Sequence, residues 1–176
     1  QAAVDCGMGL TLLPVLYERA GFTQPALRDD QRRFATDVNA VLTLHDGVRA
    51  HVAKQGLNNI SVGVAVHSLR AARATSIAEL WQAVRCDPAP IHIHIAEQTG
   101  EVDDCLAATG QRPIEWLCNG LGQGIDIDAR WHLVHATHAT RAEIDAVAKT
   151  GAGMVLCPST EANLGDGLTD LPYWLE

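Results

Sequence analysis

Apolar positions along the chain fall into two alternating rhythms. In Ser61-Val62-Gly63-Val64-Ala65-Val66-His67 every second residue is valine, and Ile91-His92-Ile93-His94-Ile95-Ala96 alternates in the same way. A period of two marks an extended strand whose faces differ. Trp131 to Ala136 and Met154 to Cys157 are two more strand candidates. Leu10 to Leu16 is the first along the chain, although its Pro14 lacks the N–H that a central strand uses.

Between these runs the spacing lengthens to that of a helix. Phe34, Val38, Val41, Leu42, Val48 and Val52 recur on one helical face. Ser76-Ile77-Ala78-Glu79 and Thr140-Arg141-Ala142-Glu143 both have the form of a capping box. Thr99 can cap a helix with Glu101 in its first turn and Val102, Cys105 and Leu106 facing inward. Pro113 can open a short helix through Leu117, and Gly151 closes the helix before the last strand. Arg28 to Arg33 and Pro158 to Gly167 read as polar loops.

Strands separated by helices, with no tight hairpin signal, predict βα units on a parallel sheet. No strand is followed by the glycine-rich turn of a doubly wound sheet. Valines on one face with Gly63 and Ala65 on the other suit a barrel wall. The expected fold class is therefore α/β, a parallel TIM-barrel (β/α)8. A closed barrel takes roughly 250 residues, so 176 residues predict an incomplete barrel of about five βα units. Residues 1–176 are read as one partial catalytic domain with no second domain. The start at Gln1-Ala2-Ala3 reads like the middle of a helix, and Glu176 arrives without a closing element, so both ends are expected to be cut.

Composition narrows the function classes. At 47% apolar and 19% charged residues, with no biased stretch, a soluble globular protein is expected. A net charge of -8 without a basic run argues against a nucleic-acid partner. No apolar run reaches membrane-spanning length, so no membrane partner is expected either. The five cysteines, Cys6, Cys86, Cys105, Cys118 and Cys157, are odd in number, and none forms a C-x-x-C pair. They read as reduced thiols, buried like small hydrophobes, in a cytoplasmic protein.

The chemistry gathers at strand ends. His67, His94 and His135 each close a predicted strand, the edge where parallel α/β proteins assemble their sites. His67 shares its strand face with Gly63 and Ala65, His94 with His92 and Ala96, and His135 with Leu133. Any one of them would be an ordinary core histidine; at equivalent ends of successive strands they form a pattern. Glu97, three residues after His94, places a carboxylate within reach of a water beside an imidazole-held metal. His92 is a second possible ligand in an H-x-H pair with His94, or else a polar residue of the barrel interior. Arg70 shares a loop with His67 and offers a planar fork for a carboxylate. His138 reads as a loop residue supporting the site.

Four strings carry a family resemblance: VGVAVHSLRA from Val62 to Ala71, IHIHIAEQ from Ile91 to Gln98, LVHATH from Leu133 to His138 and CPSTEANLGDG from Cys157 to Gly167. Together with GLTLLPVLYERAGF from Gly9 to Phe22, they resemble the formimidoylglutamate deiminases of the amidohydrolase superfamily, metal-dependent TIM-barrel hydrolases. Val66 departs from the proline usual in that family. The resemblance implies that His94 is a metal ligand, with zinc as the cofactor. It implies that Glu97 shuttles protons and that His135 stands beside the attacking hydroxide. It assigns His67 and Arg70 to the glutamate part of the substrate. The implied reaction turns N-formimidoyl-L-glutamate into N-formyl-L-glutamate and ammonia during histidine degradation.

The family's H-x-H pair after the first strand and its Asp after the eighth have no counterpart in this sequence, which runs from about the third strand to the seventh. One imidazole cannot close a zinc coordination sphere. The chain alone is therefore expected to hold metal weakly and to be inactive. A guanine, cytosine or nucleoside deaminase of the superfamily is the alternative enzyme, and a catalytically silent barrel fragment is the alternative outside enzymes. Exposed sheet edges favour association, and a homo-oligomer, a dimer in the simplest case, is the expected assembly.

Overall fold

The computed structural model describes residues 2–176, so Gln1 lies outside the described residues, and Ala2–Asp5 forms a short helix, α1. The first strand candidate is divided in two, β1 at Leu10–Leu12 and β2 at Val15–Leu16. Pro14 cannot donate to the ladder but still serves it, since its carbonyl accepts from Ala65 N at 2.9 Å. The valine strand is divided as well, into β3 at Ile60–Val62 and β4 at Val64–Ser68. Gly63 separates them because the neighbouring chain comes too close for a side chain there: a Cβ would stand 2.3 Å from the Pro90 carbonyl oxygen.

Between β2 and β3 lie a 3₁₀ turn at Arg32–Phe34 and the long helix α2 at Val38–Gln55. Phe34 is thus outside the helix and exposed, because Asp37 caps the first turn by accepting from Ala40 N at 2.8 Å. Helix α3, Ala74–Val84, follows β4. Its Ser76 is not a cap but sits inside the first turns and donates to Glu18 Oε1 at 2.8 Å. Glu18 reaches in from another segment and accepts from Arg73 N at 2.9 Å, supplying the negative charge that a helix N-terminus favours.

Strand β5, Ile91–Ile95, leads into α4, Thr99–Thr109, and α5, Pro113–Cys118. Gln98, not Thr99, is the N-cap of α4, and Leu106 is exposed while Val102 and Cys105 are buried. Strand β6, Trp131–His135, leads into α6, Arg141–Thr150, whose capping box forms as the sequence predicts. Strand β7 is Gly153–Val155, so Cys157 lies beyond it. The polar segment after it is not all loop: α7 occupies Pro158–Leu164, with Pro158 at its start and Gly165 left-handed at its end. A last short helix, α8, is Leu171–Trp174.

The main sheet has the order β2-β4-β5-β6-β7, with β1 and β3 extending its first two strands as a separate parallel pair. All pairings between these strands are parallel. The order never reverses, whereas a doubly wound sheet changes direction at a switch point. Steady progression with helical crossovers is the winding of a TIM barrel, and β2 and β7 are the edges of the arc. Val64, Val66, Ile91, Ile93, Ile95, Trp131 and Leu133 pack under Ile77, Leu80 and Val84 of α3, Ile114 and Leu117 of α5 and Val147 of α6 in one buried cluster. The opposite face carries a register row of Ala65, His92, His132 and Gly153, small and polar as a barrel interior requires.

Candidate active site

The three strand-end histidines meet. Ring centroids of His67 and His94 are 5.2 Å apart, and those of His94 and His135 are 5.5 Å apart with the planes nearly parallel. Each reaches this rim for a different local reason. His94 arrives by simple alternation along β5. His67 falls where the pairing of β4 with β5 slips between Val66 and Ser68, a local irregularity that re-aims a strand end. His135 is the exception to its own strand. Alternation groups it with Trp131 and Leu133, both fully buried against the helices, and the register pairs it with Ile95. A left-handed backbone, φ 74° at His135 and 47° at Ala136, breaks that alternation and turns the ring toward the rim.

Ala96, at the end of β5, is left-handed too, with φ 50°. Non-glycine residues in this region are held there only when their surroundings over-determine them. The determinants are visible. Glu101, in the first turn of α4, accepts from Ala96 N at 3.2 Å and from Glu97 N at 3.1 Å. Burial pushes the Glu101 carboxyl up, opposed by Arg70 and by those two amides. Ala136 N and His138 N donate to the carbonyls of Ile95 and Ala96, tying the two strand ends together. His138 is thus a loop residue that braces the rim, and Arg112 Nη2 donates to its carbonyl at 2.6 Å.

The carboxylate of Glu97 lies between two partners. Its Oε1 is 3.3 Å from His135 Nε2, and its Oε2 is 3.9 Å from Arg70 Nη2. Arg70 Nε is buried without a hydrogen-bond partner among the described residues, a donor left for an anion. His94 Nδ1 lies 2.7 Å from the His67 carbonyl oxygen. A carbonyl only accepts, so Nδ1 carries the proton and Nε2 keeps its lone pair, the arrangement of a metal-binding imidazole with its backbone prop. His67 packs edge-on against Tyr17 at 4.4 Å and is pushed down to about 4 by burial, then by His94 and Arg70. It is a neutral ring at neutral pH.

His92 does not join His94 as a ligand pair. Its ring lies against His132, 4.6 Å between centroids, one layer deeper in the interior. Among the described residues no group of three or more histidine, cysteine or acidic side chains is arranged to hold a metal ion. His94 is suited to one position of a zinc site, but these residues alone do not close one. Cys6 and Cys86 are exposed, contrary to the expectation that all five thiols are buried; Cys105 alone is fully so.

All five residues chosen from the sequence, His67, Arg70, His94, Glu97 and His135, therefore share one rim. Three contributors went unrecognised there. Tyr17 lies in another segment against His67, and Glu101 gave only the ordinary signal of an acid in a first helical turn. Glu161 of α7, hidden in the supposed loop, is buried and lies 3.2 Å from His135 Nδ1.

Residues 1–176 match the Amidohydrolase family. A formimidoylglutamate deiminase from Pseudomonas aeruginosa is 49% identical over 168 residues, which cover 96% of this chain and 35% of that protein. The crystal structure of an amidohydrolase from Brucella melitensis superposes with a TM-score of 0.89 at 44% identity, over 99% of this chain and 37% of that one. An adenosine deaminase from Xanthomonas campestris with bound zinc shares the fold, with a TM-score of 0.76 at 23% identity over 98% of this chain and 36% of that one. The chain thus spans about a third of the length of the proteins it matches. Matched along its whole length, with its strand-end histidines and Glu97 gathered at one rim, the chain belongs to the amidohydrolase family.

Proposed function

We propose that these residues form part of the active site of a hydrolase that converts N-formimidoyl-L-glutamate and water into N-formyl-L-glutamate and ammonia. The observation that carries this reading is the unbroken series Arg70, Glu97, His135 beside His94 at one rim. The similarity to the Pseudomonas deiminase supports it.

In this reading Glu97 takes a proton from the water that attacks the formimidoyl carbon and delivers it to the departing nitrogen. The tetrahedral adduct places developing charge on the new oxygen, and the Nε2 face of His135 is positioned to stabilise it. Arg70 donates its free Nε–H and an Nη–H to a substrate carboxylate, while the neutral His67 ring lines the same end. His94 would be one ligand of a zinc ion completed by residues outside this set; zinc supplies Lewis acidity that makes water nucleophilic near neutral pH. In this reading one imidazole cannot close a zinc coordination sphere, so the 176 residues alone would hold zinc weakly and would not turn over. A place in histidine degradation and in the cytoplasm accords with such a substrate, and no described helix is long and apolar enough to cross a membrane.

The test is a substrate panel on a full-length, zinc-loaded protein carrying these residues. N-formimidoyl-L-glutamate should be turned over, and guanine, cytosine and adenosine should not. Turnover of a nucleobase in preference to the formimidoyl compound overturns the reading.

A further inference from the structure

Three buried carboxylates, Glu101, Glu143 and Glu161, lie in first helical turns near the rim, and two of them are already accounted for. Glu101 braces the end of β5, and Glu143 closes the capping box of α6 while pairing with Arg112 at 3.0 Å. Glu161 differs, because it joins the start of its own helix to the ring of a rim histidine. Its Oε1 lies 3.0 Å from Cys157 N and 3.2 Å from His135 Nδ1, and both its side chain and that of His135 are about 4% exposed. Among the described residues no lysine or arginine pairs with it; its partners are a backbone amide and one imidazole edge.

His135 needs such a partner more than the other rim histidines do. Its backbone is left-handed, so neither strand alternation nor the ladder sets the direction of its ring. The opposite ring edge, Nε2, faces Glu97 at 3.3 Å. An ionised Glu161 accepts only, so its contact with Nδ1 requires the proton there. That leaves Nε2, the edge that faces Glu97, as the atom at which the two side chains can exchange a proton.

We propose that Glu161 is a positioning residue for His135: it fixes the ring's direction and keeps the proton on Nδ1, so that Nε2 is presented to Glu97 and to the oxygen on which the adduct's charge develops. It acts through His135 and does not touch substrate. The proposal rests on the reading of His135 and Glu97 given above, but its ring-state part can be measured without any turnover.

The experiment is nitrogen-15 NMR of the histidine rings in the 176-residue chain, with Glu161→Ala and Glu161→Gln. In the parent chain His135 should show a protonated, exchange-protected Nδ1. Glu161→Ala should lose that signature, as a mixture of tautomers or a mobile ring. Glu161→Gln keeps an oxygen that can accept both bonds, so it should retain the Nδ1–H form even if the alanine variant fails to fold. A parent ring protonated at Nε2 alone, or a His135 signature identical in all three proteins, overturns the proposal.

A second arm uses a full-length, zinc-loaded protein carrying these residues. There Glu161→Ala should lower kcat about 10–100-fold with KM within about threefold, and Glu161→Gln should recover most of the loss. Loss of kcat that the glutamine variant does not rescue overturns the positioning role. Absence of formimidoyl turnover in the parent, with the ring signatures as expected, rejects the substrate and leaves the Glu161 assignment standing.

Discussion

Glu97 Oε1 stands 3.3 Å from His135 Nε2, across two strand ends that the register of β5 and β6 brings side by side. A carboxylate and an imidazole in this relation can exchange a proton without either side chain moving. Replacing Glu97 by Gln preserves shape and removes the basic oxygen. Turnover should fall by about a thousandfold or more in a full-length, zinc-loaded protein, with metal content unchanged by elemental analysis. Activity within tenfold of the parent would end the assignment of Glu97 as the proton shuttle.

Arg70 Nη2 faces Glu97 at the ion-pair distance of 3.9 Å, and its buried Nε has no hydrogen-bond partner among the described residues. Arg70→Ala should raise KM for a substrate bearing a carboxylate by about 10–100-fold, the value of one or two charge-assisted bonds. Arg70→Lys should restore little, because a point charge cannot reproduce the planar fork. Steady-state kinetics on both variants checks this, and a lysine variant equal to the parent would contradict it.

At the other end of β4, Gly63 leaves room for the Pro90 carbonyl. A methyl group there collides with backbone rather than with a flexible side-chain tip. Gly63→Ala should therefore destabilise the chain by about 1–3 kcal/mol, seen as a lower urea midpoint with an unchanged slope. A midpoint equal to the parent's would show that the strands can part without cost.

The His67 ring is half-buried and is pushed down to about 4 in the fold, from an ordinary value of 6.5. The unfolded chain therefore binds a proton first as the solution is acidified. Stability attributable to this ring is intact above about 6.5 and is lost as pH falls toward about 4. After discounting for its partial exposure, the loss is on the order of 1–2 kcal/mol. Urea titrations at pH 7 and pH 4.5 should show the parent losing that much more than His67→Asn, and equal losses would remove His67 from the account.

Thiol chemistry separates the cysteines. Cys6 and Cys86 are exposed, whereas burial pushes Cys105 and Cys118 up to about 11. With a thiol reagent near pH 8, the first two should react well before Cys105 and Cys118, since the thiolate is the reacting species. Peptide mapping after a short exposure checks the order.

Much of this arrangement can be read from the chain alone, and the places where reading stops have physical causes. The alternation of Ile91 to Ile95 defines β5 and puts His94 at its tip, and Glu97 follows by spacing. The strands around Pro14 and Gly63 are legible as extended chain but not as pairs of short pieces. Their interruption depends on what the neighbouring segment brings alongside, in the second case the Pro90 carbonyl. His135 is legible as a strand end but not in direction, because its left-handed backbone departs from the periodicity that sequence reasoning uses. Glu161 is farther still from view. Its partner lies 26 residues earlier, and helix α7 is so polar that its composition reads as loop despite Pro158 and Gly165 marking its two ends.

Glu101 and Glu161 hold strand tips from the first turn of the next helix. Every residue of a helix advances the side-chain direction by about 100°. An insertion or deletion of one residue between Ala96 and Glu101, or between Cys157 and Glu161, would swing the carboxylate to another side of its helix and release the tip. Those two spans are consequently locked in length. Within residues 119–130, which connect α5 to β6 at the opposite end of the strands, Leu121, Ile125 and Arg130 are anchored, but the exposed stretch Gly122 to Gly124 between them is bound by no such count. Relatives should gain and lose residues there first.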